Sequence, residues 1–116
     1  MAYEMPGFSF TLPAGADLSA SPYVFLDANA SGLAVAATAA GRTVGVLGNK
    51  PKAGESATII QTGIAQVTAS AAIAAGAGVQ AAAGGQAVIL SAGIQLGVAL
   101  EAATGAGSVI AVLLKG

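Results

Sequence analysis

Chemistry needs side chains that move protons, attack carbonyls or hold metals, and this chain carries few of them. Its ionisable groups are four Lys or Arg and five Asp or Glu, with no His and no Cys. Without imidazole or thiol there is no Cys nucleophile, no His-assisted nucleophile, no zinc site of the usual kind and no disulfide. The carboxylates Glu4, Asp17, Asp27, Glu55 and Glu101 are scattered and form no local pair for general acid–base work. Lys50-Pro51-Lys52 with Glu55 is a small charged island in an otherwise neutral chain. Such an island reads first as a solvated loop and second as a salt-bridging contact at an interface. The Gly-x-Gly runs at Gly76-Ala77-Gly78 and Gly105-Ala106-Gly107 lack the strand–helix context and following acid of a dinucleotide fingerprint, so they are turns. No catalytic residue, metal site or cofactor is expected, and the chain reads as a non-enzyme.

Composition narrows the partners further. A net charge of −1 leaves no basic surface to neutralise phosphates, so nucleic acid is not an expected partner. Mean hydropathy is +0.80, yet a spanning helix takes about twenty mainly apolar residues. The best window, residues 64–83, is mostly Ala and Gly and contains Gln66, Thr68, Ser70 and Gln80. The hydropathy reflects abundant Ala and scarce charge, 8% of residues against about 25% in an average soluble domain, and no membrane association is expected. The start, MAYEMPGFSF, lacks the cationic and apolar regions of a secretory signal.

The elements that carry these residues read as strands. Short β-branched runs alternate with Gly-rich breaks: 43–47, 57–61, 64–68, 87–90 and 109–114. Residues 94–101 alternate, with Ile94, Leu96, Val98 and Leu100 on one face. Ala favours helix, but Gly cuts the Ala runs before a 3.6-residue stripe can build.

An internal repeat organises the chain. Residues 32–47, GLAVAATAAGRTVGVL, parallel residues 85–100, GQAVILSAGIQLGVAL. Gly32 matches Gly85, Val35 matches Val88 and, after a one-residue slip, Gly45-Val46 matches Gly97-Val98. The expected fold is all-β, a small closed or nearly closed β-barrel of two similar halves, roughly 18–60 and 73–113, within a single domain 14–116. Gly45 and Gly97 are expected at barrel bends. Residues 1–13 stand outside the repeat: Phe8, Phe10 and Leu12 share one face of an extended segment between Pro6 and Pro13. They read as an N-terminal arm that adds to a partner, with a terminal strand of the same domain as the other reading.

Gly45-Val46-Leu47, the loop Asn49-Lys50-Pro51-Lys52-Ala53-Gly54-Glu55, Gly97-Val98-Ala99-Leu100 and the apolar run 108–114 resemble the small cement or decoration proteins on capsids of tailed bacteriophages. The resemblance implies a compact β domain, a homotrimer, seated on the outer surface of the mature capsid after assembly in the host cytoplasm. Its implied partners are further copies of itself and the major capsid protein, whose neighbouring subunits it would bridge and so stabilise. The implied capsid contacts are the arm residues Tyr3, Met5, Phe8, Phe10 and Leu12, with Asn49, Lys50, Lys52 and Glu55 as a second contact in the loop. The alternative is a virion-attached β module that binds a host carbohydrate or receptor. Against it, sugar rings usually stack on aromatics, which make up only 4% of this chain and include no Trp.

Overall fold

Val, Ile and Thr suit a pleated surface, and frequent Gly interrupts the helix that Ala would otherwise favour. The computed structural model describes residues 5–20, 23–39, 43–91 and 93–114, with backbone alone at Met5 and Pro6. Its strands are β1 Met5–Pro6, β2 Ser9–Pro13, β3 Phe25–Ala28, β4 Ala34–Ala36, β5 Gly45–Leu47, β6 Ser56–Ile60, β7 Gly63–Thr68, β8 Gly78–Ala81, β9 Ala87–Ile89, β10 Gly97–Ala99 and β11 Val109–Leu114. One 3-10 turn, Ala83–Gly85, is the only helical element among the described residues. The fold is all-β.

The strands form two antiparallel sheets. One runs β2-β6-β5-β3-β4; the other runs β7-β11-β10-β8-β9, with the two-residue β1 added beside β7. Neither sheet closes through a continuous ladder, so the expected closed barrel is not formed; the two edges of each sheet meet only at single parallel bridges, Ala14 with Ala34 and Ala69 with Ala87. Gly15 N–H and Ser70 N–H donate to the carbonyls of Ala34 and Ala87 at 2.8 Å each, so each sheet curls until its edge strands touch at one point and encloses apolar side chains between them.

The two sheets repeat one topology down to register. Leu26 faces Ala36 and Gly45, as Val79 faces Ile89 and Gly97. Val46 faces Ile60 as Val98 faces Leu113. Ser9 faces Ile60 as Ile64 faces Leu113. Bonds outside the ladders match too: the N–H groups of Ala14 and Ala69 donate to Glu55 O and Ser108 O, each at 2.7 Å.

Packing breaks this equivalence. One core cluster lies within the first half: Ala14, Leu18, Val24, Leu26, Ala34, Leu47, Ala57 and Ile59. The equivalent positions of the second half, among them Ile73, Val79, Ile110 and Val112, belong to a larger cluster. That cluster also takes in Phe25, Ala37, Val46 and Ile60, from the other face of the first sheet. The outer face of the first half is therefore seated on the second half.

Three expectations change on these observations. Residues 9–13 are not a free arm; β2 pairs with β6 throughout, and Phe10 and Leu12 pack half-buried on the first-half core. Pro13 is tolerated because β2 is an edge strand. The alternating run 94–101 is a strand only at Gly97–Ala99, and its small members Gly97 and Ala99 are the buried ones, while Ile94 and Leu100 are exposed. Gly45 and Gly97 mark close backbone approach where barrel bends were expected. A Cβ at Gly45 would meet the carbonyl of Ile60 and the side chain of Ile59; at Gly97 it would meet the carbonyl of Leu113 and the side chain of Val112.

Gly45→Val and Gly97→Val should each cost about 1–3 kcal/mol, by crowding against a neighbouring strand that cannot retreat; urea unfolding of the two variants checks this. Deleting Met1–Pro13 removes β1 and β2, exposes the β6 edge and uncovers Leu26 and Ile59. The truncated chain should lose cooperative melting and aggregate on size-exclusion chromatography.

Candidate functional site

The charged island forms a loop held by bonds to the backbone around it. Pro51 is buried, and its carbonyl accepts from Leu18 N–H at 2.9 Å. Gly54, with φ +85°, donates its N–H to Ala14 O at 2.9 Å. Asn49 Oδ1 accepts from Thr58 N–H at 2.9 Å, and its Nδ2 donates to Ser56 O at 3.0 Å. Glu55 Oε1 accepts from Lys52 N–H at 2.7 Å across the turn. Asn49 and Glu55 thus fasten the loop, while Lys50 and Lys52 are exposed upon it.

The duplicated fold supplies an internal control for this loop. In the second half Glu101 stands where Asn49 does, and its Oε1 accepts from Ala111 N–H at 3.0 Å. Gly107, with φ +88°, repeats the turn of Gly54. Thr104 and Ser108 hydroxyls bond at 3.2 Å where Lys52 and Glu55 stand in the first half. Ala102 replaces Lys50. The fold therefore builds this loop without either lysine; both are exposed, and together with the bonds from Ser19 the Lys52 charge helps hold the Asp17 carboxyl low.

The carboxylates have local structural partners. Asp17, Asp27, Glu55 and Glu101 each accept a backbone N–H, from Ser19, Ala28, Lys52 and Ala111. The Ser19 hydroxyl at 2.6 Å, then the Ser19 N–H, hold the Asp17 carboxyl below the ordinary range. Its small stabilising contribution is present above the usual carboxylate pKa and is lost as pH falls through the lowered value. Two clefts lie between the halves, one lined by Phe25, Val44, Gln61, Leu96 and Leu114 and the other by Val24, Thr68, Gln86 and Val109. Neither is lined by a titratable side chain among the described residues. The sequence offers no hint that Gln80, which is buried, pins a loop: its Oε1 accepts from Ser91 and Gly93 N–H at 2.9 and 2.8 Å.

The remaining sequence-derived contacts are not gathered into one surface. Tyr3 lies outside the described residues, and Met5 is described only as backbone of β1, opposite Ile64. Phe8 is 55% exposed and its ring lies 6.2 Å from that of Phe10. Phe10 and Leu12 turn toward their own half, because the period-2 face read as a partner surface is the face β2 presents to its own core. The uneven exposure of large hydrophobics between the halves was not read from the sequence. Among the described residues, Ile89, Ile94, Leu100, Val109 and Leu113 are exposed large hydrophobics of the second half, against Phe8 alone in the first.

Comparison with solved structures places this architecture. The chain superposes on the N base of the head fiber gp8.5 of bacteriophage phi29 with a TM-score of 0.76. The match covers 93% of each chain at 19% identity. The two proteins share a fold. No protein-family model and no curated protein matches the sequence.

Asn49→Ala should lower stability by about 0.5–1.5 kcal/mol, since it strands Thr58 N–H and frees the loop end. Lys50→Ala should stay within about 0.5 kcal/mol of the parent. Paired denaturant titrations separate the two.

Proposed function

We propose that the chain is a non-catalytic structural protein of a tailed-phage virion. It binds the outer surface of the assembled capsid as a homotrimer and stabilises the shell by bridging neighbouring major capsid subunits. The observation that carries this reading is the fold shared along nearly the whole chain with a phage head fiber base. The resemblance of the 45–55 and 97–114 segments to capsid cement proteins supports it independently.

The physical requirements of such a role are modest. A protein that binds the closed lattice better than its separate subunits shifts assembly toward the shell by linkage, and many copies turn modest contacts into firm attachment through avidity. A stable scaffold with projecting contacts suffices. The exposed Lys50 and Lys52, on a loop whose fold does not need them, supply directional contacts to acidic capsid groups.

Cosedimentation with purified, expanded capsids of the phage that carries the chain tests the proposal. Binding should saturate at a fixed ratio to the capsid subunit and should raise the temperature at which the shell breaks. Lys50→Glu with Lys52→Glu should weaken binding about tenfold at low salt, with an unchanged melting curve. Absence of the protein from the capsid pellet at any salt concentration would overturn the reading.

A further inference from the structure

We propose that the edge of β2, from Ser9 to Pro13, takes up an extended segment of a capsid subunit as an added antiparallel strand. The proposal rests on the capsid attachment argued above and assigns part of that contact to the backbone.

The register of β2 shows which groups point outward. At either end of its pairing with β6, Gln61 N–H donates to Phe8 O at 2.8 Å and Ala14 N–H to Glu55 O at 2.7 Å. Bonded and unbonded positions alternate along an antiparallel pair. Phe8, Phe10, Leu12 and Ala14 therefore turn their backbone groups to β6, and Ser9, Thr11 and Pro13 turn theirs away. Among the described residues, no group outside β6 bonds Ser9 or Thr11. The edge meets β4 only beyond Pro13, where Ala14 bridges Ala34.

The second half shows the same edge occupied. Ser9, Thr11 and Pro13 correspond to Ile64, Gln66 and Thr68 by their places opposite β6 and β11. Met5 of β1 lies antiparallel opposite Ile64, and Thr68 N–H donates to Tyr23 O at 2.8 Å. Ile64, Gln66 and Thr68 are half-buried, whereas Ser9, Thr11 and Pro13 are exposed. Bare edges are commonly guarded by charge or proline. β2 carries no charge, and its one proline ends the edge without interrupting it. Ser9 and Thr11 each present an N–H and a carbonyl, enough for main-chain pairing with a short strand.

The second half also argues against another copy as the occupant. The segment that fills its edge, β1, is committed to β7 of its own chain. The chemistry of the partner follows from what borders the β2 edge. The loop 49–55 is bonded to Ala14, next to Pro13, through Glu55 O and Gly54 N–H, and carries the exposed Lys50 and Lys52. A strand antiparallel to β2 brings its N-terminal end to this loop. The segment is therefore apolar at alternate residues, to lie beside Phe8, Phe10 and Leu12, and carries a carboxylate at its N-terminal end.

Cosedimentation of full-length variants with expanded capsids tests the proposal. Thr11→Pro removes an N–H that β6 does not use, so circular dichroism and melting should match the parent. Its capsid occupancy at subsaturating protein should fall about tenfold. Thr11→Val keeps the N–H, loses only the hydroxyl and should bind as the parent does. Hydrogen exchange of the parent needs no variant, and it decides should Thr11→Pro unfold. The amides of Ser9 and Thr11 should exchange quickly in the free protein and slowly on the capsid. Full binding by Thr11→Pro, an equal loss with Thr11→Val, or unchanged exchange on the capsid would overturn the proposal. So would protection of these two amides as the free protein is concentrated, which would mark pairing between copies. A parent that never pellets with capsids overturns the capsid reading itself, and this one with it.

Discussion

The structure depends on the seating of one sheet's outer face on its duplicate. Both halves are built from small residues, and a sheet rich in Ala and Gly has too little apolar side chain to stabilise an independent two-layer core. The first half meets this shortage by giving Phe25, Val46 and Ile60 to the core of the second. Its opposite face keeps Leu26, Leu47 and Ile59 for a core of its own. Alternation along β3, β5 and β6 thus serves two layers at once, since successive side chains point to opposite faces.

Close backbone packing follows from the same scarcity of bulk. At Gly45 and Gly97 the neighbouring strand carbonyl occupies the space that a Cβ would need. These glycines recur because each half makes the same approach between its fourth and fifth strands in sequence. The turns at Gly54 and Gly107 recur for a different reason: both have a positive φ that L residues rarely adopt. Tyr23, with φ 58°, is a non-glycine residue in that region and stands where the second half has Gly76. The duplicate halves have thus diverged at the junction while keeping their ladders.

Function resides in what the scaffold does not need. The described carboxylates are engaged with backbone N–H groups, and Asn49 ties a strand to a loop. What the fold leaves exposed is a pair of lysines on a fastened loop and several large hydrophobic side chains of the second half. Comparing the halves exposes both. At the charged loop the second half makes the same turn and the same side-chain-to-backbone bond with no lysine, so Lys50 and Lys52 are not requirements of that loop.

Local features of the sequence determined the strand class, several strand positions and the matching of glycines at an offset of 52 or 53 residues. These depend on β-branching, breaks and spacing, which act over a few residues. The charged loop was legible for the same reason, because lysines are conspicuous in so neutral a chain. Tertiary structure alone decided that the edges of each sheet meet at a single bridge instead of a full ladder, that Ser9–Pro13 belongs to the first sheet, and which side of residues 94–101 is buried. The period of two shows that Ile94, Val98 and Leu100 share a face but not whether that face meets core or solvent. That outcome turns on which half lies on top of which, and pattern within one strand holds no information about a layer that packs from the far end of the chain.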